Sequence, residues 1–407
     1  MQKRLIVIGG GAAGFFGAIR AAELMPEMEV CILEKSAHTL SKVKISGGGR
    51  CNVTHACFDP AELITYYPRG NKEMRGPFSR FQPGDTFGWF EERGVLLKTE
   101  DDGRVFPVTD KSQTIIDCFE QAAQAAGVRV VLRSGVTEIQ KDEATGEWIM
   151  DVSEGNTLRA DALLITAGSS PQMWEMIAGL GHTIVPPVPS LFTFNCTDPR
   201  IDGLAGLVAP HGEVRIAGTR FEESGPVLIT HWGLSGPGIL KLSARASREL
   251  AESGYNFEID LNWDSSQPAE ELLEQLKDIR TDHPRRQVNA FSPTRLPQRL
   301  WEALITTAVN PEARWADISN ATMQMMCKAV YECRLSVRGK STFKEEFVTA
   351  GGVELREIDF TTMESRLHKN LFFAGEVLNI DAVTGGFNFQ AAWTTGWIAG
   401  TAIASRH

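Results

Sequence analysis

Leu5 to Ile8 is a short apolar run that feeds directly into Gly9-Gly-Gly-Ala-Ala-Gly14, and a helical pattern from about Phe15 to Leu24 follows. Val30 to Leu33 is a second apolar run, closed by Glu34. Strand, glycine turn, helix and strand make a βαβ unit, and the acid stands about twenty residues after the last glycine. This feature constrains the chain more than any other, because a crossover helix between buried strands commits the start of the fold to a parallel sheet. Each glycine has its own reason. Gly9 permits the tight turn, Gly11 lets the backbone approach a pyrophosphate, and Gly14 lets helix and sheet pack closely. A phosphate would meet free N–H groups at the helix start, beside Ala12 and Ala13, while Glu34 accepts from ribose hydroxyls.

The same rhythm returns at intervals. Gly127–Leu132 and Val136–Gln140 read as strands, and a turn near Thr145-Gly146 leads to Trp148–Val152. Asp161–Gly168 is a buried strand that ends in small residues. Asn370–Glu376 repeats strand, glycine and acid, and Thr384-Gly-Gly-Phe-Asn388 opens a helix through Trp397. The middle differs. Leu191–Cys196, Gly212–Ile216, Val227–Thr230 and Phe257–Leu261 are short strand-like runs. A helical stretch follows from about Pro268 to Tyr331, broken by prolines, and Cys333–Val337 closes it. The expected fold class is α/β: a Rossmann-like domain in two pieces, residues 1–189 and 350–407, with a β-barrel and helical domain inserted at 190–349.

Composition narrows the function. A net charge of −10 argues against a general nucleic-acid binder, although local basic patches remain open. Seven cysteines with no framework spacing point to a reducing cytoplasm. The N-terminus runs straight into a strand, and Ala391–Ala404 is too short and too polar to span a bilayer, so no membrane role is expected. No Cys-x-x-Cys or His-x-x-x-His supports a metal, and no Gly-x-Ser-x-Gly elbow supports a hydrolase.

Five segments in order carry a family resemblance: "GGGAAG" at 9–14, "KISGGGRCN" at 44–52, "THWGLSGPG" at 230–238, "TAGGV" at 349–353 and "GEVLNIDAVTGGFNFQ" at 375–390. With them the chain resembles the two-dinucleotide-binding-domain flavoproteins, and within these the YhiN-type family, over nearly its whole length. The resemblance implies non-covalent FAD, a glutathione-reductase-type Rossmann domain with an inserted barrel, and reduction of a substrate double bond. BaiN-like members are associated with an enone in bile-acid derivatives, RdsA-like members with dihydrouridine in large-subunit rRNA.

It also implies where the cofactor lies. Ser46, Gly47, Gly48 and Gly49 would present backbone N–H groups beneath the pyrophosphate and along the isoalloxazine, starting from Lys44, with Arg50, Cys51 and Asn52 close to the flavin. Lys35, Val136, Ala167 and Gly168 belong to the same implied surface. So do Gly375 and Glu376, the latter at the ribityl or pyrophosphate region. The helix after Gly385 and Gly386, beginning at Phe387 and Asn388, would point its N-terminus at the pyrimidine end.

Reducing an activated C=C bond places hydride on one carbon and a proton on its neighbour, so a general acid is wanted. Cys51 is one candidate, because an unperturbed thiol of pKa about 8.5 holds its proton at neutral pH. His231, at the end of an apolar strand before a glycine-rich turn, is the other. Gly233, Ser235 and Gly236 beside it either form an N–H nest for an oxygen or simply make a tight strand-to-helix turn. No second GxGxxG fits between strand and helix, so either NAD(P)H acts as a transient electron donor over the flavin or another donor reduces it. Arginines and lysines cluster at Arg69, Lys72, Arg75 and Arg80, and again at Arg285, Arg286, Arg295 and Arg299 beside Phe291 and Trp301. The second cluster is a candidate rRNA-docking face. Two other readings stay open: an amine or aminoacetone oxidase, and an RNA-associated assembly factor with structural FAD. Oligomeric state is not legible.

Overall fold

The computed structural model describes residues 3–153, 155–341 and 348–405. The chain divides into two compact units, one formed by residues 1–188 with 344–407 and the other by residues 189–343.

The first unit is built on a parallel sheet. Strand β1 (Arg4–Ile8) leads through the glycine turn into α1 (Ala12–Leu24) and then β2 (Glu29–Leu33); α2 (Ser41–Gly49) follows. Strands β3 (Arg129–Val131), β4 (Ala162–Ile165) and β5 (Leu371–Phe373) complete the parallel order β5-β4-β1-β2-β3. Two short antiparallel strands, Glu364–Ser365 and Ile358–Asp359, extend it beyond β5. The strands β1, β2 and β4 are buried and read as apolar runs rather than alternating ones, as a sheet covered on both faces requires.

Helix α3 (Phe387–Ser405) runs through this unit and is buried along most of its length. It crosses α1 at glycines: a Cβ on Gly396 would lie 2.7 Å from the Ala13 carbonyl oxygen, and one on Gly400 would lie 2.4 Å from that of Gly17. Around the crossing, Phe16, Phe81, Trp89, Phe119 and Trp393 pack ring against ring, with centroids 4.7 to 6.2 Å apart. The polar groups of α3 are matched inside that core. Gln390 accepts from Thr54 and Thr86 hydroxyls at 2.6 and 2.9 Å and donates to Thr394 at 3.1 Å. Among the described residues no helix is long and apolar enough to cross a membrane.

The second unit holds an antiparallel sheet in the order Cys333–Arg338, Asn256–Asn262, Val208–Ile216, Glu222–Thr230, Gly233–Ser235, Thr193–Asn195, Lys340–Ser341. The first and last strands are separated only by Gly339, so one extended stretch pairs at both edges and closes the sheet into a barrel. Full closure leaves no open strand edge. Helices Ala269–Asp282, Gln298–Ile305 and Asn320–Tyr331 share its core, where Trp263, Trp301 and Trp315 are wholly buried. Two barrel strands begin earlier than their apolar runs suggest, at Val208 and Glu222, because polar residues on the outer face continue the ladder.

Candidate functional site: an open glycine cradle

The turn between β1 and α1 separates its glycines by what surrounds them. Gly9 adopts φ +110°, and a Cβ there would lie 2.6 Å from the Thr166 carbonyl oxygen. A Cβ on Gly14 would come within 2.1 Å of the Gly9 carbonyl oxygen, whereas one on Gly11 meets nothing within 4 Å. Helix α1 starts with no side-chain cap and no acid in its first turn, so its leading N–H groups face that open space. Ala12 and Ala13 add no bulk there. Glu34 reaches back to the turn and accepts from the N–H groups of Gly10 and Ser36, both at 2.8 Å. Each of its oxygens keeps a lone pair that a ribose diol would use. Lys35, beside it, is exposed, and Val136 is buried.

The second glycine segment does not lie in a plain loop. The chain is helical from Ser41, then breaks at Ser46 (ψ 148°) and turns left-handed through Gly47, Gly48 and Gly49, with φ of +58°, +68° and +84°. A run of such residues is where glycine is needed, since a side chain there collides with its own backbone. Phe106 supports the segment from below, 2.9 Å from where a Cβ on Gly47 would be, while Gly48 and Gly49 have open space beside them. Lys44 is exposed, and its carbonyl accepts from the Ser112 hydroxyl at 2.7 Å.

The three side chains after the glycines take different positions. The Arg50 guanidinium stacks over Phe106 at 3.9 Å and pairs with Glu100 and Asp110. Cys51 is itself left-handed (φ +63°) and 0% exposed, and burial pushes its thiol up to about 12. Asn52, oriented so that both amide groups are matched, accepts from Gly386 N–H and donates to the Thr54 carbonyl, each at 3.0 Å.

The C-terminal run closes on the same region. Gly375 (φ +75°) brings its segment against Ala13, 2.9 Å from where its own Cβ would be. The Glu376 carboxylate is held by Lys42 and by Thr349 N–H, the latter at 3.0 Å, and Gly168 (φ +59°) lies beside it. Ala167, next to Gly168, is half-buried. Gly385 and Gly386 both take positive φ, +130° and +92°. Phe387 is buried under Tyr66 and His55, with ring centroids at 4.2 and 4.5 Å, and Asn388 exchanges two hydrogen bonds with the backbone of Ala382. Asp381, wholly buried, forms a bidentate pair with Arg69.

Several of these partners carry no isolated signal in the sequence. Lys42, Thr349 and Phe106 act through contacts across long separations. Asp381 stands inside the 375–390 motif and could have been noted there. Arg69 counted among a surface cluster is instead committed to Asp381, which takes it out of any docking role. In the second unit, Gly233–Ser235 form a strand whose backbone enters the ladders on both sides, so the N–H nest is replaced by sheet pairing. His231 is exposed in the two-residue turn before that strand. Arg285, Arg286, Arg295 and Arg299 are exposed, and none pairs with a carboxylate among the described residues. Among the described residues no group of three or more His, Cys, Asp or Glu side chains is placed to hold a metal.

A bare helix start, an open Gly11, an acid at the end of β2 and two further left-handed glycine segments define a dinucleotide-binding Rossmann domain of the flavoprotein kind. The residues present fit FAD, since the cradle is one that any Cβ at Gly11 would fill. The chain belongs to the HI0933-like Rossmann-domain family, whose profile matches residues 3–402, a family of FAD-dependent oxidoreductases. The ribosomal RNA dihydrouridine synthase of Escherichia coli is 28% identical, over 96% of each chain. The 3-dehydro-bile acid delta(4,6)-reductase of Clostridium scindens is 26% identical over 100% of each. Among solved structures, the 3-ketosteroid-delta4-(5alpha)-dehydrogenase of Rhodococcus jostii matches with a TM-score of 0.52 at 14% identity, covering 99% of this chain and 97% of that one. That likeness is one of fold.

Proposed function

We propose that the protein reduces a C=C bond conjugated to a carbonyl, and that its substrate is uridine in ribosomal RNA, converted to dihydrouridine. The observation that carries this reading is the end-to-end match to two relatives whose named reactions share that bond type. Uridine, like a 3-oxo-4-ene, offers an alkene polarised by a neighbouring carbonyl. Bound FAD supplies the hydride, with NAD(P)H as its transient source. The N–H groups at the start of α1 would hold the pyrophosphate, the bare backbone of Gly47 to Gly49 would leave room for the rest of the cofactor, and the protein would supply a proton.

RNA is favoured over a small enone by the exposed arginines of the second unit. Exposed guanidinium groups with no carboxylate partner among the described residues, in a chain of net charge −10, suit phosphate contacts, which carry most of the affinity for RNA and weaken with salt. For the proton, burial changes the balance between the two candidates. The Cys51 thiol keeps its proton at any working pH, but it is sealed from substrate and fits the loop core. His231 is exposed and is the proposed acid.

Protein-free large-subunit rRNA, incubated anaerobically with the flavoprotein and NADPH or NADH, should gain a uridine heavier by two hydrogens after nuclease digestion and mass spectrometry. His231→Ala should leave flavin reduction intact and slow this step roughly 10²-fold, the scale of a lost general acid. Unmodified RNA together with turnover of a conjugated enone would replace uridine with a small molecule. Peroxide release from simple amines would replace reduction with oxidation.

A further inference from the structure

We infer that Asn52 is a positioning residue for the flavin, a staple between the left-handed glycine segment and the N-terminus of α3, rather than a group that touches the cofactor. The segment from Gly47 to Cys51 is held on one side by Phe106 beneath Gly47 and by Arg50, which pairs with Glu100 and Asp110, but none of these contacts reaches α3. Gly48 and Gly49 have no neighbour within 4 Å on their side-chain side, and four of its residues sit at positive φ: Gly47, Gly48, Gly49 and Cys51. The Cys51 N–H to Ser46 carbonyl bond, at 3.0 Å, closes the turn on itself but ties it to nothing else.

Asn52 makes the outward connection. Its amide oxygen takes the Gly386 N–H and its nitrogen gives to the Thr54 carbonyl, each at 3.0 Å. The gap it fills is narrow: a Cβ on Gly386 would lie 2.5 Å from the Thr54 carbonyl oxygen and 2.7 Å from the Asn52 amide. The two backbones therefore meet directly, and only glycine fits between them. The next two residues continue the seam. The Val53 carbonyl accepts from the Trp393 indole at 2.9 Å, and Thr54 donates to Gln390 at 2.6 Å. Asn52 is thus the outermost of three ties along the first two turns of α3. By engaging Gly386 N–H it fixes the direction in which the following N–H groups point.

The chemistry asks for an amide. One donor and one acceptor are needed on a side chain of this length, and a carboxylate would set an oxygen against the Thr54 carbonyl. The staple matters for the flavin because the positive end of a helix favours anionic charge, and the reduced flavin carries more of it than the oxidised form.

The test compares Asn52→Ala and Asn52→Asp with the parent by three readouts: hydrogen exchange at Gly386, the dissociation constant for FAD, and the flavin midpoint potential. Asn52→Ala should speed Gly386 exchange and weaken FAD binding about tenfold, because the unpinned segment must then be ordered as the cofactor binds. Its midpoint potential should become more negative, because the reduced form loses more than the oxidised one. Asn52→Asp keeps size and one acceptor, so its FAD affinity should fall between the two; it also serves if the alanine variant does not fold. Faster exchange with unchanged affinity and potential would make Asn52 merely structural and overturn the inference. Unchanged exchange at Gly386 would overturn it as well.

Discussion

The turn at Gly9–Gly14 and the segment at Ser46–Asn52 both leave bare backbone facing open space, but they are secured in opposite ways. The first is fixed by its own βαβ unit. Its strands are in register from Arg4 to Ile8 against Glu29 to Leu33, and Glu34 returns to the turn it follows. The second is fixed from far away in the chain, by Phe106, by Ser112 and by Gly386 through Asn52. A locally determined turn fails by steric collision at single atoms. A turn held from a distance fails gradually, as ties are cut.

The largest effect should come from contrasting two glycines of the first turn. Gly14→Val places a side chain 2.1 Å from a backbone oxygen that cannot move aside, and soluble folded protein should be lost. The Cβ of Gly11→Val meets no protein atom within 4 Å, so circular dichroism and the melting temperature without FAD should stay close to the parent, while the purified protein is colourless. A yellow Gly11→Val with full FAD content would remove the cofactor from this cradle.

The Arg69–Asp381 pair comes next. Asp381 is wholly buried and Arg69 nearly so, and Asp381→Asn would leave the guanidinium without its counter-charge. A loss of about 3 kcal/mol is expected in urea unfolding, the scale of a broken buried pair. A smaller effect should attend Gly48→Ala. Nothing crowds the added methyl, but φ +68° costs a non-glycine residue about 1 kcal/mol. If Gly48→Ala costs only about 1 kcal/mol while Gly14→Val yields no folded protein, the contrast between the turns is sharpened.

The smallest effect is a pH dependence at a buried histidine outside both turns. His182 is buried with Nδ1 2.8 Å from Glu357 and Nε2 2.9 Å from the Ser365 hydroxyl, which itself accepts from the N–H groups of Leu367 and His368. Burial lowers the imidazole pKa, against the opposing pull of Glu357. The folded state thus binds the proton less readily than the unfolded chain. This contribution to stability is complete above the unfolded value of about 6.5 and declines as the pH falls through the folded one. His182→Gln should flatten the melting temperature between pH 7 and 5 relative to the parent.

How much was legible follows the same division. The first turn, β1, α1, β2 and Glu34 could be placed from spacing alone, because the glycines, the apolar period and the acid all answer to one local geometry. The second segment was recognisable as a motif, but its shape was not. Nothing in "KISGGGRCN" says that a helix starts at Ser41, that Arg50 turns toward Glu100, or that Asn52 meets Gly386. The helices Asn71–Phe78 and Pro83–Glu91 were also hidden, since they are short and carry Pro77, Gly84 and Gly88 inside them. The array of His182, Glu357 and Ser365 joins residues too far apart for any spacing rule. Distance along the chain, more than chemistry, set the limit.

The central claim is tested most directly by the oxidative half-reaction alone. The flavin is reduced with dithionite under anaerobic conditions, freed of excess reductant, and mixed in a stopped-flow cell with protein-free large-subunit rRNA, a conjugated steroid enone, or buffer. The account predicts rapid return of the oxidised flavin spectrum with the RNA, slowed by added salt, and dihydrouridine formed in proportion to flavin reoxidised. A flavin that stays reduced with RNA and enone alike, at the rate seen in buffer, would contradict it.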